Sequence, residues 1–329
     1  MRSNAMFKRK TLAAFLALPA LFFLAGCEGS GSLVAGGGTG GTGISSGVIT
    51  GFGSVIVNDV RFMVDDNTLI RLNDMLATET DLRVGMIAKI RGTFRADGIT
   101  GTADSIEVES NVKGRISLFG PEPDSFSVLG QKNFVDNQTI FVGVSGLNDL
   151  GLDNVVRVFG FRDAFGDIRA TSVELLVGPG GEEEVHGIVA DKDVVPNTFR
   201  LGFLLVDYVT RSPEVAPGGI QDGDPVEVEG VFNVGTGMFE ATEIEREDIE
   251  DVEFVPMESE KVEVEGFASD VTETAPGIFA LAVDEYPVRT NAGTSYEGGT
   301  PADLRDNVKV EVEGVWLGGT LVAEEIEFE

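Results

Sequence analysis

One histidine and one cysteine limit the chemistry that this 329-residue chain can perform. A Ser–His or Cys–His nucleophile would need His186 as its base, and no Gly-x-Ser-x-Gly turn accompanies it. The usual zinc and copper sites combine several histidine and cysteine ligands, so the composition excludes them. His186 directly precedes Gly187 in an expected strand, and we expect it to face solvent or to be satisfied in the core. The sequence therefore predicts a protein that is not an enzyme.

Carboxylates are abundant, with 55 acidic side chains. Clustered carboxylates are the oxygen ligands that hard cations such as Ca²⁺ take. None of the clusters has the spacing of an EF-hand loop, so we expect no cofactor, and weakly bound structural Ca²⁺ is the alternative. The clearest calcium candidates are two acidic pairs, Asp65 with Asp66 and Asp222 with Asp224.

Cys27, the only thiol, follows the run Leu24-Ala25-Gly26 at the end of a short apolar segment. A basic triplet at residues 8–10 precedes that segment, which is too short to span a bilayer as a helix. The pattern resembles the lipobox of bacterial lipoproteins. The resemblance implies a signal peptide at residues 1–26, lipid attachment (diacylglycerol and palmitate) at Cys27, and membrane binding through that lipid. In enterobacterial lipoproteins, Asp directly after the cysteine favours retention in the inner membrane. Because Glu28 stands there in this chain, the resemblance implies the outer membrane. An ordinary signal peptide with a chance cysteine is the alternative.

Charge argues against nucleic acid as a partner. The formal net charge is −31, and loss of residues 1–26, which carry four basic and no acidic side chains, would make it about −35. Such a surface repels phosphate backbones. With no second cysteine, no internal disulfide can form, so stability must come from packed apolar surface.

After Cys27, residues 27–46 are nearly all Gly, Ser and Thr, which predicts a flexible tether. The rest of the chain repeats one plan about every 70 residues. The predicted units are residues 47–110, 111–178, 182–248 and 260–329, with an acidic linker at 249–259 between the last two.

Each unit contains five segments with the alternation of a half-buried strand. The fourth segment is the clearest, and it closes on a glycine that suits a bulge or a sharp bend: Gly92, Gly160, Gly230 and Gly314. A threonine recurs in the third segment, at Thr68, Thr139, Thr210 and Thr290. The fifth segment starts with a small residue, at Ala103, Ala170, Ala241 and Ala323.

Five strands in about 70 residues, with a gap after the third, predict an all-β chain of small, partly open barrels of OB type. A barrel of that size is marginally stable alone, so we expect neighbouring barrels to share interfaces. Separate beads on a string, or one continuous sandwich, are the alternatives.

Three stretches resemble a known family of bacterial domains. They are residues 47–58 (GVITGFGSVIVN), 82–86 (LRVGM) and 128–131 (VLGQ). They are similar to DUF5666, a domain of unknown function found in tandem in secreted and lipid-anchored proteins. The resemblance is strong over residues 47–177 and weaker over the last two units. It implies no catalytic residues.

The sequence thus predicts a lipid-anchored outer-membrane protein of the cell envelope. Its tandem barrels would bind or scaffold an envelope protein or a glycan without catalysis. A calcium-stabilised surface lipoprotein is one alternative. A protein that binds oligonucleotides or oligosaccharides is the second, and for oligonucleotides the acidity argues against it.

Overall fold

A computed structural model describes residues 41–178, 181–211, 213–215, 219–246 and 254–329. Across these ranges the chain is made of β-strands with three short 3₁₀ turns and no α-helix, which confirms the all-β prediction. In the same ranges no helix is long and apolar enough to cross a membrane. The predicted signal peptide, Cys27 and residues 28–40 lie outside the described residues.

The strands fall into four successive barrels. Barrel 1 contains β1 (Gly41–Val48), β2 (Val55–Val57), β3 (Val60–Met63), β4 (Leu69–Leu72), β5 (Met75–Leu76), β6 (Ile87–Phe94) and β7 (Thr100–Val108). Barrel 2 contains β8 (Val112–Phe119), β9 (Ser125–Val128), β10 (Gln131–Phe134), β11 (Ile140–Val142), β12 (Val155–Arg162) and β13 (Ile168–Leu175). Barrel 3 contains β14 (Glu183–Asp193), β15 (Thr198–Leu201), β16 (Leu204–Asp207), β17 (Glu214–Val215), β18 (Pro225–Asn233) and β19 (Met238–Arg246). Barrel 4 contains β20 (Lys261–Ala275), β21 (Ile278–Val283), β22 (Tyr286–Arg289), β23 (Ser295–Glu297), β24 (Lys309–Trp316) and β25 (Leu321–Phe328).

Strand pairing closes these barrels. In barrel 2 the ladders run β8–β9–β10–β13–β12 and back to β8, and only the β10–β13 pair is parallel. Barrels 3 and 4 repeat this circuit with their equivalent strands. In barrel 1, whose strands all lie in the described ranges, no ladder joins the first strand to the second. A single bridge closes the circuit there, from Gly51, which follows β1, to Ile56 of β2. The prediction of small five-stranded OB-like barrels is confirmed, with closure by ladders in three of the four.

In each barrel, the predicted gap between the third and fourth of the five strands holds a short additional strand, which is β4, β11, β17 or β23. It runs parallel to the fifth strand of its barrel, which is β7, β13, β19 or β25. A turn with Asp or Asn at its first position and Thr at its fourth leads into it. In barrels 1, 2 and 4 the threonine hydroxyl donates to the carbonyl of the small residue on the fifth strand: Thr68 to Ala103, Thr139 to Ala170, Thr294 to Ala323. The prediction of Thr290 for the fourth unit is therefore wrong. Thr290 lies four residues earlier, where its hydroxyl accepts the Phe279 N–H.

The predicted glycine of each fourth strand lies inside that strand, two or three residues before its end, at a register shift opposite the small residue of the fifth strand. The four pairs are Gly92 with Ala103, Gly160 with Ala170, Gly230 with Ala241 and Gly314 with Ala323. A Cβ at any of these glycines would overlap a backbone carbonyl oxygen of the facing strand. The bulge therefore requires glycine, since no L side chain fits between the two strands.

First strands join the barrels to one another. β1 pairs in parallel with β20 of barrel 4, and β8 pairs antiparallel with β14 of barrel 3. Barrels 2 and 3 also share one hydrophobic core. Phe159 of barrel 2 is fully buried in the core of barrel 1. The barrels thus share interfaces rather than forming beads on a string.

The tether prediction is wrong for residues 41–46, because these residues form β1. Ile44, Ser45 and Ser46 are fully buried, and their backbone pairs with β6 on one side and β20 on the other. Small residues are needed here since a Cβ at Gly43 would overlap the Lys261 carbonyl oxygen of β20. The acidic linker at 249–259 is described only from Phe254 onward, and there Val255 accepts a hydrogen bond from Arg91 at 2.7 Å.

Candidate functional site

A cleft of about 800 Å³ lies where barrels 1, 2 and 4 meet. Its volume falls within the range of small-ligand sites. Barrel 1 contributes the end of β1 and the β2–β3 turn, barrel 2 the ends of β10 and β12, and barrel 4 residues of β20 and β24. Asn58 and Asp59, at the tip of the β2–β3 turn, both have positive φ, as a tight hairpin turn requires. That turn brings Asp59 to the rim of the cleft.

A partly buried ion-pair network lines the part of the cleft that barrel 4 contributes, which is called the floor below. Lys309 Nζ lies 2.5 Å from Glu265 Oε1, 2.6 Å from Glu329 Oε2 and 5.6 Å from the centre of the Phe161 ring. The other oxygen of Glu265 accepts the Val48 N–H at 2.8 Å, so the network ties barrel 4 to barrel 1. Burial alone would lower the pKa of Lys309. The charges and hydrogen bonds of Glu265 and Glu329 have a larger, opposite effect, so the pKa of Lys309 is raised.

Glu311 lies two residues from Lys309 on β24 and also lines the cleft. Burial raises the pKa of Glu311 to about 8, with the nearby carboxylates Glu263 and Glu265 adding to the rise. Glu311 therefore holds its proton at neutral pH and can donate a hydrogen bond. The floor thus offers both a hydrogen-bond donor and carboxylate acceptors.

Barrel 2 supplies a further part of the cleft lining. The Arg169 guanidinium stacks on the Phe134 ring, 4.3 Å from its centre, and is held by Asp163 at 2.7 Å. Phe267, half-buried on β20, adds a second accessible ring. Six acidic and two basic side chains line the cleft, so its formal charge is negative. Planar rings beside carboxylate, amide and carboxyl groups suit a polar, hydroxyl-rich ligand that is neutral or cationic.

His186 lies elsewhere, on β14 of barrel 3, and only 7% of it is exposed. Its Nε2 is 3.5 Å from Glu184 Oε1 and 3.7 Å from Glu227 Oε1. Burial raises the pKa of Glu227 against the opposing effect of His186, and Glu184 and Asp74 raise it further. This cluster was not among the predicted site residues. Its signals were the alternation Glu184-Val-His186 on one strand and Val226-Glu-Val-Glu-Gly230 on another, whose pairing only the fold reveals.

The calcium candidates occupy turns instead. Asp65 accepts the Asn67 N–H at 2.8 Å, Asp222 the Lys192 N–H at 2.8 Å, and Asp224 the Gln221 N–H at 2.9 Å. Asp66 is exposed beside Asp65. Within the described ranges, none of the four belongs to a group of three or more ligand residues close enough to share an ion. Cys27 with its lipobox residues Leu24, Ala25 and Gly26 falls outside those ranges.

One family model matches the chain four times. It is described as "Domain of unknown function (DUF5666)", and it matches residues 44–107, 113–174, 205–245 and 265–327, together well over half of the chain. The matches fall on all four barrels. They include barrels 3 and 4, in which the sequence resembles the family only weakly. No curated protein matches the chain.

Proposed function

The chain belongs to the DUF5666 family, and we propose that its four barrels form a non-catalytic binding protein of the cell envelope, with the three-barrel cleft as the binding site. The observation that carries the proposal is that one cleft of ligand size is built from three barrels. Its polar floor is partly buried, and rings line it beside hydrogen-bonding groups. A cleft assembled between repeats gives the tandem arrangement a use that a single barrel lacks.

The ligand we propose is a short glycan segment that is neutral or carries amino groups. Sugar hydroxyls pair with the carboxylates and amides of the rim, and the apolar face of a sugar ring packs on Phe267. The excess of acidic side chains disfavours uronic-acid and phosphate-bearing chains, since like charges would meet in a partly buried site. Nucleic acid is disfavoured for the same reason.

Calorimetric titration of the full chain in detergent tests this ligand class. The probes are soluble oligosaccharides of three kinds: neutral cello-oligosaccharides, amino-bearing chitosan oligomers and acidic oligogalacturonates. We expect binding to the first or second kind and none to the third. Absence of binding to both of the first two would contradict the proposal.

A matched pair of variants locates the binding. Phe267→Ala should weaken it about tenfold, which corresponds to about 1.4 kcal/mol. Phe232→Ala removes a partly exposed ring from β18 of barrel 3, outside the cleft, and should leave the affinity unchanged. Equal affinities in both variants would place the ligand elsewhere.

The same proposal places the protein at a membrane through Cys27. The support is the lipobox-like run and the apolar segment before it. We expect radiolabelled palmitate to mark the chain in its host and Cys27→Ala to remove both the label and the membrane association. Unchanged labelling in Cys27→Ala would exclude this attachment site.

A further inference from the structure

The His186 cluster combines donors from two barrels. Glu184 and His186 are two residues apart on β14 and so share one face of the sheet. Glu227 on β18 pairs directly with His186, and Glu245 on β19 pairs with Glu227. Asp74 comes from barrel 1, at the tip of the tight β4–β5 turn, where Asn73 and Asp74 both have positive φ.

The spacing of the donor atoms matches a coordination shell. Donor atoms of Glu184, His186 and Glu227 all lie within 4.8 Å of one another, and so do those of Asp74, Glu227 and Glu245. Two donors, each about 2.1 Å from a tetrahedral ion, stand about 3.4 Å apart. The distances from His186 Nε2 to the two carboxylates are 3.5 Å and 3.7 Å, close to that edge length.

The surroundings hold these ligands in place. Glu184 Oε1 accepts hydrogen bonds from Ser110 at 3.1 Å and from Asn73 at 3.2 Å, both outside barrel 3. Such second contacts orient metal ligands in known sites. Lys113 lies 3.5 Å from the other oxygen of Glu184. The cluster brings several carboxylates to one histidine, with Glu184 and His186 more than nine-tenths buried.

We propose that Glu184, His186 and Glu227 bind one first-row divalent transition-metal ion, in a site that Asn73 and Asp74 of barrel 1 border. An imidazole nitrogen among carboxylate oxygens selects ions such as Zn²⁺ or Mn²⁺ over Ca²⁺ and Mg²⁺, which take oxygen ligands. The site differs from the usual zinc sites, which the sequence excludes, because carboxylates replace the cysteines and further histidines. It is independent of the cleft and of the proposed glycan ligand.

The test is metal binding by the full chain after treatment with a chelator. Zn²⁺, Mn²⁺ and Ca²⁺ are titrated separately by calorimetry, and Co²⁺ serves as a spectroscopic substitute for Zn²⁺. We expect one equivalent of Zn²⁺ or Mn²⁺ per chain and a higher melting temperature in its presence. Bound Co²⁺ should also show a visible absorption band typical of a coordination site of low symmetry. Binding of Ca²⁺ alone, or no stoichiometric ion, overturns the proposal.

Variants assign the ligands. His186→Ala and Glu227→Gln should each weaken Zn²⁺ binding at least tenfold and abolish the Co²⁺ band. Glu227→Gln keeps the side-chain shape and covers the case in which His186→Ala does not fold. Asp65→Asn removes a carboxylate from a turn outside the cluster and should bind the ion like the unmodified chain. Retained affinity in both cluster variants overturns the assignment, and Phe267→Ala should leave metal binding intact.

Discussion

At the scale of single residues, the clearest constraint on the sequence is the lack of space between the fourth and fifth strands of each barrel. The glycine of each bulge faces a carbonyl oxygen of the fifth strand so closely that a methyl group cannot enter. The facing residue is alanine in all four barrels. The bulge bends the fourth strand at the same point each time, and this bend helps a five-stranded sheet to close.

We expect Gly92→Ala to destabilise the protein by about 1–3 kcal/mol, because backbone on both strands must shift to admit the Cβ. Gly146→Ala is the control, since Gly146 has extended backbone and no other group close to the place its Cβ would take. Denaturant unfolding of the two variants gives the comparison. Equal stabilities would mean that the bulge tolerates a side chain.

Glu311 gives the protein a predictable response to pH. Its pKa is raised to about 8 from an ordinary value of 4.5, so the folded protein holds this proton where the unfolded chain releases it. The stability tied to this group is complete below about pH 4.5 and is lost as pH rises through about 8. Glu311→Gln has no carboxyl group at this position, so its stability does not fall in this way as the pH rises.

The stability of Glu311→Gln relative to the unmodified chain should therefore rise with pH between 4.5 and 8, reaching about 1–3 kcal/mol. Melting curves across this range measure it, with Glu324→Gln as a control because Glu324 is exposed and outside the cleft. A difference that is constant with pH would contradict the raised pKa.

At the scale of elements, the turn after each third strand is a repeated device. Its first residue accepts backbone N–H groups, as Asp65, Asp136, Asp207 and Asn291 all do. In barrels 1, 2 and 4 its threonine reaches across to the fifth strand. This turn sets where the additional parallel strand begins. It also gives the acidic residues that recur there a structural role, as acceptors of the turn's backbone N–H groups.

Thr139→Val should cost about 1–2 kcal/mol, since it leaves the buried Ala170 carbonyl without this donor while keeping the shape of the side chain. Thr274→Val is the matched control on an exposed strand position. The readout is the free energy of unfolding, and a loss of similar size in both variants would argue against a special role for the turn.

At the scale of the whole molecule, the four barrels behave as two joined pairs that also contact each other. Barrel 1 meets barrel 4 through the β1–β20 ladder, and barrel 2 meets barrel 3 through β8–β14 and a shared core. An ion pair reinforces the first junction. Arg91 bonds both oxygens of Glu260 at 2.9 and 3.1 Å, and Glu260 is only 5% exposed.

Arg91→Met should destabilise the protein by about 3 kcal/mol, because it leaves the buried Glu260 carboxylate without its main counter-charge. Hydrogen exchange should then show faster opening in both barrel 1 and barrel 4. Faster opening confined to barrel 1 would show that the two barrels are not coupled. The double variant Arg91→Met with Glu260→Gln should recover part of the loss.

The sequence by itself determined the repeat, the all-β class, the barrel size and the glycine positions. These are local properties, since alternation of apolar residues and the need for glycine at a bulge are written in one strand at a time. The tertiary structure decided which strands of different barrels pair. It therefore decided that residues 41–46 belong to a strand and that the cleft joins three barrels. It also decided that His186 lies beside carboxylates of its own strand and of a neighbouring strand. Such neighbours are tens to hundreds of residues apart, and no spacing along the chain records which of them meet.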